Sequence, residues 1–278
     1  MASAPGTFEW LGIGFMQKAL LGALLVSLAS GLLGVFVVLR RIIFISMALA
    51  EVSSASVAFA FLIGMNPSVT AVLITLGATF LLAFFTHRAS RFPAEALIAI
   101  VYMFASSAAI LMIAKNPSGE VDLMNVLFGN ILTVNNTQLT EALIVGIPTA
   151  GTLLLFFRSF LFTAFDSEMA STCGIAAPRW QALFYFFLGA VIVTGIRISG
   201  ALLTFAYLVI PAYCGLRLSR SMKGVVLAAV IIGPLATFFG LWASFSWDLP
   251  TGPAITAILV VMALVSIAIG QVRLRQAQ

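Results

Sequence analysis

The chain has 278 residues, of which 14 are Lys or Arg and 9 are Asp or Glu, a charged fraction of 8% where a soluble domain carries about 25%. Hydrophobic residues make up 62% and mean hydropathy is +1.16, which excludes an ordinary soluble protein and points to a polytopic membrane protein. The net charge of +5 does not point to nucleic acid, because the basic residues are scattered between apolar blocks and form no basic stripe or aromatic platform.

In chain order, Met1 to Trp10 is polar and no basic residue precedes Lys18. A cleaved leader begins with basic residues, so the first apolar block is expected to remain as a helix. Apolar blocks bounded by Gly, Pro and polar breakers predict spans near 14–39, 44–64, 69–86, 95–114, 141–157, 181–196, 199–215, 224–244 and 253–270. The expected fold class is therefore all-α: a polytopic transmembrane helical bundle of about eight or nine spans, occupying 1–278 as a single domain. Arg197 separates two short blocks, so a discontinuous or partly re-entrant helix, with a count of eight, is the alternative there. Between residues 115 and 138 the short apolar stretch Leu123 to Val134 is too brief to span and suits an external amphipathic helix.

Nine crossings send Arg40, Arg41, Arg88, Arg91, Arg158, Arg179, Arg217, Arg220, Lys223, Arg273 and Arg275 to one end of the bundle. An excess of Lys and Arg marks the cytoplasmic side. Glu9, Glu120, Asp122, Glu141 and Asp248 fall at the other end, so the amino terminus is expected outside and the carboxyl terminus inside. Small residues recur every fourth position at Ala19, Ala23, Ser27 and Gly31, and again at Ser46, Ala50, Ser54 and Ala58. Such stripes let helix backbones approach closely, either within one bundle or at a subunit interface.

Glu51 is the acidic residue set deep within a span, about two turns into the second. An ionisable group there faces a cavity or a partner, because exposing it to lipid costs a few kcal/mol. It is either functional or held by hydroxyls such as those of Ser53, Ser54, Ser106 and Ser107, serving packing alone. Met47, four residues earlier, shares its helix face, and Met103 in the fourth span is a weaker candidate for the same path. The single histidine, His87, sits with Arg88 and Arg91 at a helix end, and the two cysteines, Cys173 and Cys214, have no metal spacing and are expected to be free. No phosphate-binding G-x-x-x-x-G-K-[ST] loop occurs, so an ATPase driving transport would be a separate protein. Nor can a nucleophile, a base and an orienting group be assembled from these residues. The longest connection at the basic end, Arg158 to Arg179, holds Asp166, Ser167, Glu168, Met169, Ala170 and Gly174. Its composition suits either a short surface helix that docks on a soluble partner or a solvated loop.

Several segments fall in a recognisable order: Arg40-Arg41, Phe44 to Ser56, Val121 to Leu132, Asp166 to Gly174, Gly200 to Leu203 leading to Leu208-Val209-Ile210-Pro211-Ala212, and Pro250-Thr251-Gly252-Pro253. Over about 14 to 270 the chain resembles the permease subunits of the ABC transporter family that imports zinc, manganese or iron. The resemblance implies a permease that pairs with a second permease, the same chain or a paralogue. It also implies a dimer of cytoplasmic ATP-binding cassette ATPases carrying ATP and Mg, and an extracytoplasmic substrate-binding protein. The chain itself would need no cofactor, would not be an enzyme, and would sit in a prokaryotic cytoplasmic membrane. Asp166, Glu168 and Gly174 would belong to a coupling helix within 159–180. Members of that family typically carry an Asp and a His four apart at the start of the second span, and the matching residues here are Met47 and Glu51. Glu51 is then the candidate metal-binding carboxylate, with Met47 and Met103 along the path. Other readings are a non-metal or chelated cargo, a degenerate subunit of a mixed pair, a secondary carrier driven by an ion gradient, and a non-transporting scaffold.

Overall fold

Proline and glycine mark many of the helix boundaries, and polar caps mark several of the rest. A computed structural model describes residues 12, 14–88, 94–115 and 131–276. The helices are α1 (Gly14–Leu39), α2 (Ile45–Ile63), α3 (Pro67–Arg88), α4 (Ala94–Ile113), α5 (Asn136–Leu155), α6 (Phe157–Phe165), α7 (Ser167–Thr172), α8 (Ala177–Leu218), α9 (Met222–Trp247) and α10 (Thr251–Gln276). No strand occurs among the described residues. Gly64 closes α2 in the left-handed conformation at φ 70°, and Asn135 opens α5 with a capping box. There the Asn135 side chain accepts from the Gln138 N–H at 2.8 Å, while the Asn135 N–H donates to Gln138 Oε1 at 3.1 Å. Of the expected external helix over 123–134, Ile131–Thr133 forms a 3-10 turn. Its residues through 130 lie outside the described residues, as do Glu9, Arg91, Glu120, Asp122 and the side chains of His87, Arg88, Arg273 and Arg275.

Among the described residues eight helices are long and apolar enough to cross a membrane. One of them, α8, has 42 residues and would be about 63 Å long if straight, twice the thickness of a hydrocarbon core of about 30 Å. It is not straight. Gly200 adopts φ 80° and ψ 166°, a combination essentially restricted to glycine, and the chain reverses there. The Ser199 and Thr204 hydroxyls meet at 3.1 Å, and a Cβ on Gly195 would lie 2.7 Å from the Thr204 methyl, although nine residues of straight helix would separate them by about 14 Å. Ile198 lies at Gly22 of α1, and Leu208 has returned to Gly34. The two short blocks on either side of Arg197 are therefore antiparallel arms, 177–199 and 201–218. Among the described residues, seven helices long enough to cross once and α8 folded to cross twice make nine candidate passages.

The centre of the bundle is α1, against which α5, α8 and α9 pack, with α10 on α8 and α9. A second group, α2 to α4, attaches through α2 and α3 to α8. Both small-residue stripes point inward: Ala19, Ala23, Ser27 and Gly31, like Ser46, Ala50, Ser54 and Ala58, are buried inside this one chain. Their task is packing within the bundle, and a subunit interface must use other faces. Gly34 shows why: its Cα sits against the Leu208 carbonyl, and any Cβ there would collide with that oxygen.

The two ends of the bundle differ in charge. Arg40 reaches Thr163 of α6, and Gly270 of α10 lies beside Arg217, so these segments share one end. At the other, Arg197 Nη1 donates to Glu141 Oε2 at 2.6 Å and Nη2 to Ser68 Oγ at 3.4 Å, while Gln138 Nε2 donates to the Arg197 carbonyl at 3.4 Å. A cation inside an apolar run is explained by its place at the turn between two arms, where it meets water and a carboxylate.

Candidate functional site

Glu51 lies six residues into α2, about 9 Å along the helix from its start at Ile45. The helix buries Ser46, Leu49, Ala50, Ser53 and Ser54 and leaves the line Met47, Glu51, Ala55 and Phe59 partly or fully open. Glu51 is half-buried, and its carboxyl has the Ser106 hydroxyl of α4 as a hydrogen-bond partner. Met103 is one turn before Ser106 on the same face of α4. Met47 is 41% and Met103 66% exposed, so both thioethers lie on the open side of this helix pair. Two sequence candidates, Glu51 and Met47, thus share one face of α2, and Met103 shares the neighbouring face of α4. Among the described residues no three His, Cys, Asp or Glu side chains converge as a metal cage. One carboxylate with neutral thioether and hydroxyl neighbours would make a weak, open cation site rather than a storage site.

The second set of residues lies at the basic end. The segment expected to be a surface helix or a loop is the helix α7, with Asp166 as its N-cap. Asp166 Oδ1 accepts from the Glu168 and Met169 N–H groups at 3.0 and 2.9 Å. Gly174 terminates the segment at φ 82°, its N–H donating to the Ser171 carbonyl and that of Ile175 to Ala170. Asp166 and Gly174 therefore shape the element, whereas Glu168 is exposed with Met169 and Phe165 beside it. Cys173 is exposed and Cys214 buried, both as free thiols.

One constellation was not anticipated from the sequence: an aromatic cluster fixing α6 to the bundle. The Phe36 ring of α1 lies 5.7 Å from Phe157 and 5.9 Å from Phe160 of α6, and 6.4 Å from Phe184 of α8. Trp180 of α8 meets Phe160 edge to face, with ring centroids 5.2 Å apart. The Arg40 guanidinium covers the Phe184 ring at 4.6 Å, and its Nη2 donates to Thr163 Oγ1 at 3.4 Å. The spacing of Phe157 and Phe160, and of Trp180 and Phe184, at three and four residues was visible as helix faces. Which faces meet was not.

The family model of the ABC 3 transport family matches residues 13–270. The chain belongs to this family. It is 29% identical over 260 residues to the manganese transport system membrane protein MntC of Halalkalibacterium halodurans, a match covering 94% of this chain and 88% of that protein. It is also 29% identical to the high-affinity zinc uptake system membrane protein ZnuB of Haemophilus influenzae, covering 88% and 95% respectively. Among solved structures, PsaBC from Streptococcus pneumoniae in complex with Fab superposes with a TM-score of 0.80 at 26% identity, covering 93% of this chain and 94% of that one. This member of the ABC 3 transport family is thus a multi-pass membrane permease subunit of an ATP-binding cassette transport system. The hydrolytic machinery of such a system resides in a separate subunit.

Proposed function

We propose that this permease carries a transition-metal ion inward, that two such chains face each other across the open side of α2 and α4, and that Glu51 lies in the cargo path between them. The observation that carries this reading is the placement of Glu51. A carboxyl at this depth facing hydrocarbon costs about 2.5–3.5 kcal/mol, yet among the described residues the line through Met47, Glu51 and Phe59 stays partly or fully open. A second permease, the same chain or a paralogue, supplies the cover and turns the face into a path. The manganese and zinc systems named for its relatives support a metal cargo. A single carboxylate flanked by thioethers grips such an ion weakly enough to release it.

In this reading the basic end is cytoplasmic, which the excess of Lys and Arg there supports, and the membrane is the prokaryotic cytoplasmic membrane. An extracytoplasmic binding protein delivers cargo to the opposite end. ATP and Mg bind to the partner ATPases, onto which α7 docks through Glu168, Met169 and Phe165. ATP binding moves α7, and the rings of α6 pass that motion to α1 and α8. The result is one of two packings of the same helices, open to one side or to the other.

The test is uptake into vesicles by the complex purified with its partner ATPase, supplied with ATP and with Mn, Zn, Fe(II) or Cu(I) in turn. Uptake of one ion by the parent, and at least a tenfold loss in Glu51→Gln with the ATPase still bound and active, is expected. Equal uptake by parent and variant removes Glu51 from the path. Uptake of none of the four by an intact, ATP-hydrolysing complex overturns the metal assignment.

A further inference from the structure

At the basic end, where α5 gives way to α6, a cavity of about 450 Å³ opens between Leu154–Ser159 and the first turn of α9. Two cations guard it, Arg158 and Lys223, both exposed. Among the described residues no acidic side chain lines it and neither cation has a carboxylate at ion-pair distance. The Ser159 hydroxyl adds a neutral donor to the same wall.

Exposed apolar side chains run away from the cavity in two tracks, along both helices that border it. On α9 the residues following Lys223 at every fourth position are Leu227, Ile231 and Leu235, all exposed, and they descend about 18 Å from the cation. On α5 the exposed side chains Leu155, Leu154, Ile147 and Ile144 cover about 17 Å in the same direction. Leu155 is 81% exposed. Both helices pack on α1, which forms the floor between them. Half of a hydrocarbon core is about 15 Å, so each track is as long as one acyl chain in one leaflet.

We infer that this crevice is a binding site for one anionic phospholipid of the leaflet at the basic end. Its headgroup phosphate lies between Arg158 and Lys223, and its two acyl chains lie along α5 and α9. Two neighbouring cations without carboxylates repel each other until an anion sits between them. A soluble partner satisfies the cations but cannot reach tracks that run into the bilayer, whereas a diacyl lipid satisfies both features at once. Basic pockets at the membrane surface bind anionic lipid headgroups. The crevice abuts α6, so its occupancy bears on the segment that joins α7 to the bundle. The site is independent of the cargo and of Glu51.

The test uses the permease with its bound ATPase in nanodiscs of equal phosphatidylglycerol and phosphatidylcholine content, with tightly retained lipid counted by native mass spectrometry. The parent is expected to retain phosphatidylglycerol about tenfold over phosphatidylcholine. The double variant Arg158→Gln with Lys223→Gln is expected to retain both about equally. The charge-preserving double variant Arg158→Lys with Lys223→Arg should keep the preference, which separates loss of the site from failure to fold. Equal retention of the two lipids by the parent, or an unchanged preference in the Gln variant, overturns the proposal. Displacement of the retained lipid by millimolar inorganic phosphate or glycerophosphoglycerol also overturns it, since the cations would then hold any small anion. So does a preference seen in the permease alone and lost on ATPase binding, which assigns the cations to the ATPase interface.

Discussion

Adding one methyl group at Gly34 tests the packing that makes this bundle. A Cβ at that position would overlap the Leu208 carbonyl oxygen and lie 2.8 Å from its carbon. Both are backbone atoms, so no side-chain rotation relieves the clash, and α1 and the second arm of α8 must move apart. Overpacking typically costs about 1–3 kcal/mol, and a rigid backbone neighbour places Gly34→Ala at the upper end. The same change at Gly151 of α5, where a new Cβ meets nothing within 4 Å, should stabilise by about 0.5–1 kcal/mol, since mid-helix glycine is entropically unfavourable relative to alanine. Thermal unfolding of the purified chain, followed by size-exclusion in detergent, reads both. For a chain of this size about 1 kcal/mol shifts the midpoint by about 2–4 °C, so Gly34→Ala should fall by about 5 °C or more and Gly151→Ala should rise slightly. Equal midpoints for the two variants would refute the close approach of Leu208 to Gly34, and with it the reversal of α8 at Gly200.

The reversal is also open to labelling. In a cysteine-free background, cysteines placed at Arg197 and at Leu218 should react with impermeant maleimide from opposite sides of the membrane, and reaction from the same side would refute the two-armed helix. For α7, Asp166→Asn should leave ATPase coupling near the parent, because Asn caps as well as Asp. Asp166→Ala should fray the helix at a cost of about 1 kcal/mol and lower ATPase stimulation several-fold. Stimulation that is insensitive to both would mean that the cap has no part in docking. Glu168→Lys keeps the cap and should weaken ATPase binding directly, as read in co-purification, whereas full recovery of the ATPase would remove Glu168 from the contact. Arg40→Met loses the contact with Phe184, worth about 0.5–2 kcal/mol, together with the bond to Thr163. It should raise the ATP hydrolysed per ion carried while leaving the complex assembled, and an unchanged ratio would show that the clamp does not transmit.

Much of this protein was written in its sequence by the bilayer itself. Hydrocarbon demands that every backbone polar group be paired within its own segment, so long uncharged blocks had to be helices. Breakers such as Gly64-Met65-Asn66-Pro67 had to end them, and the asymmetry of Lys and Arg had to separate the two ends. The small-residue stripes showed which faces of α1 and α2 would be packed, and the order of motifs along the chain identified the family. Asp166 and Gly174 were legible as special residues of the 166–174 segment. Their task as the cap and the stop of α7 became visible only through the bonds they make.

Tertiary structure decided what depends on pairs of residues distant in sequence. Whether Arg197 interrupted one helix or separated two turned on φ at Gly200 and on Glu141, 56 positions away. The face of α4 that meets Glu51 through Ser106, the rings that join α6 to α1 and α8, and the meeting of Arg158 with Lys223 over a shared crevice were likewise unreadable. Helical periodicity gives each segment a face, but apolar side chains cover nearly every face of a membrane helix. The hydrophobic contrast that orients helices in a soluble protein is therefore absent. Which faces meet is decided by the close fit of small residues such as Gly34 and by a few polar contacts, and these exist only once the helices are assembled.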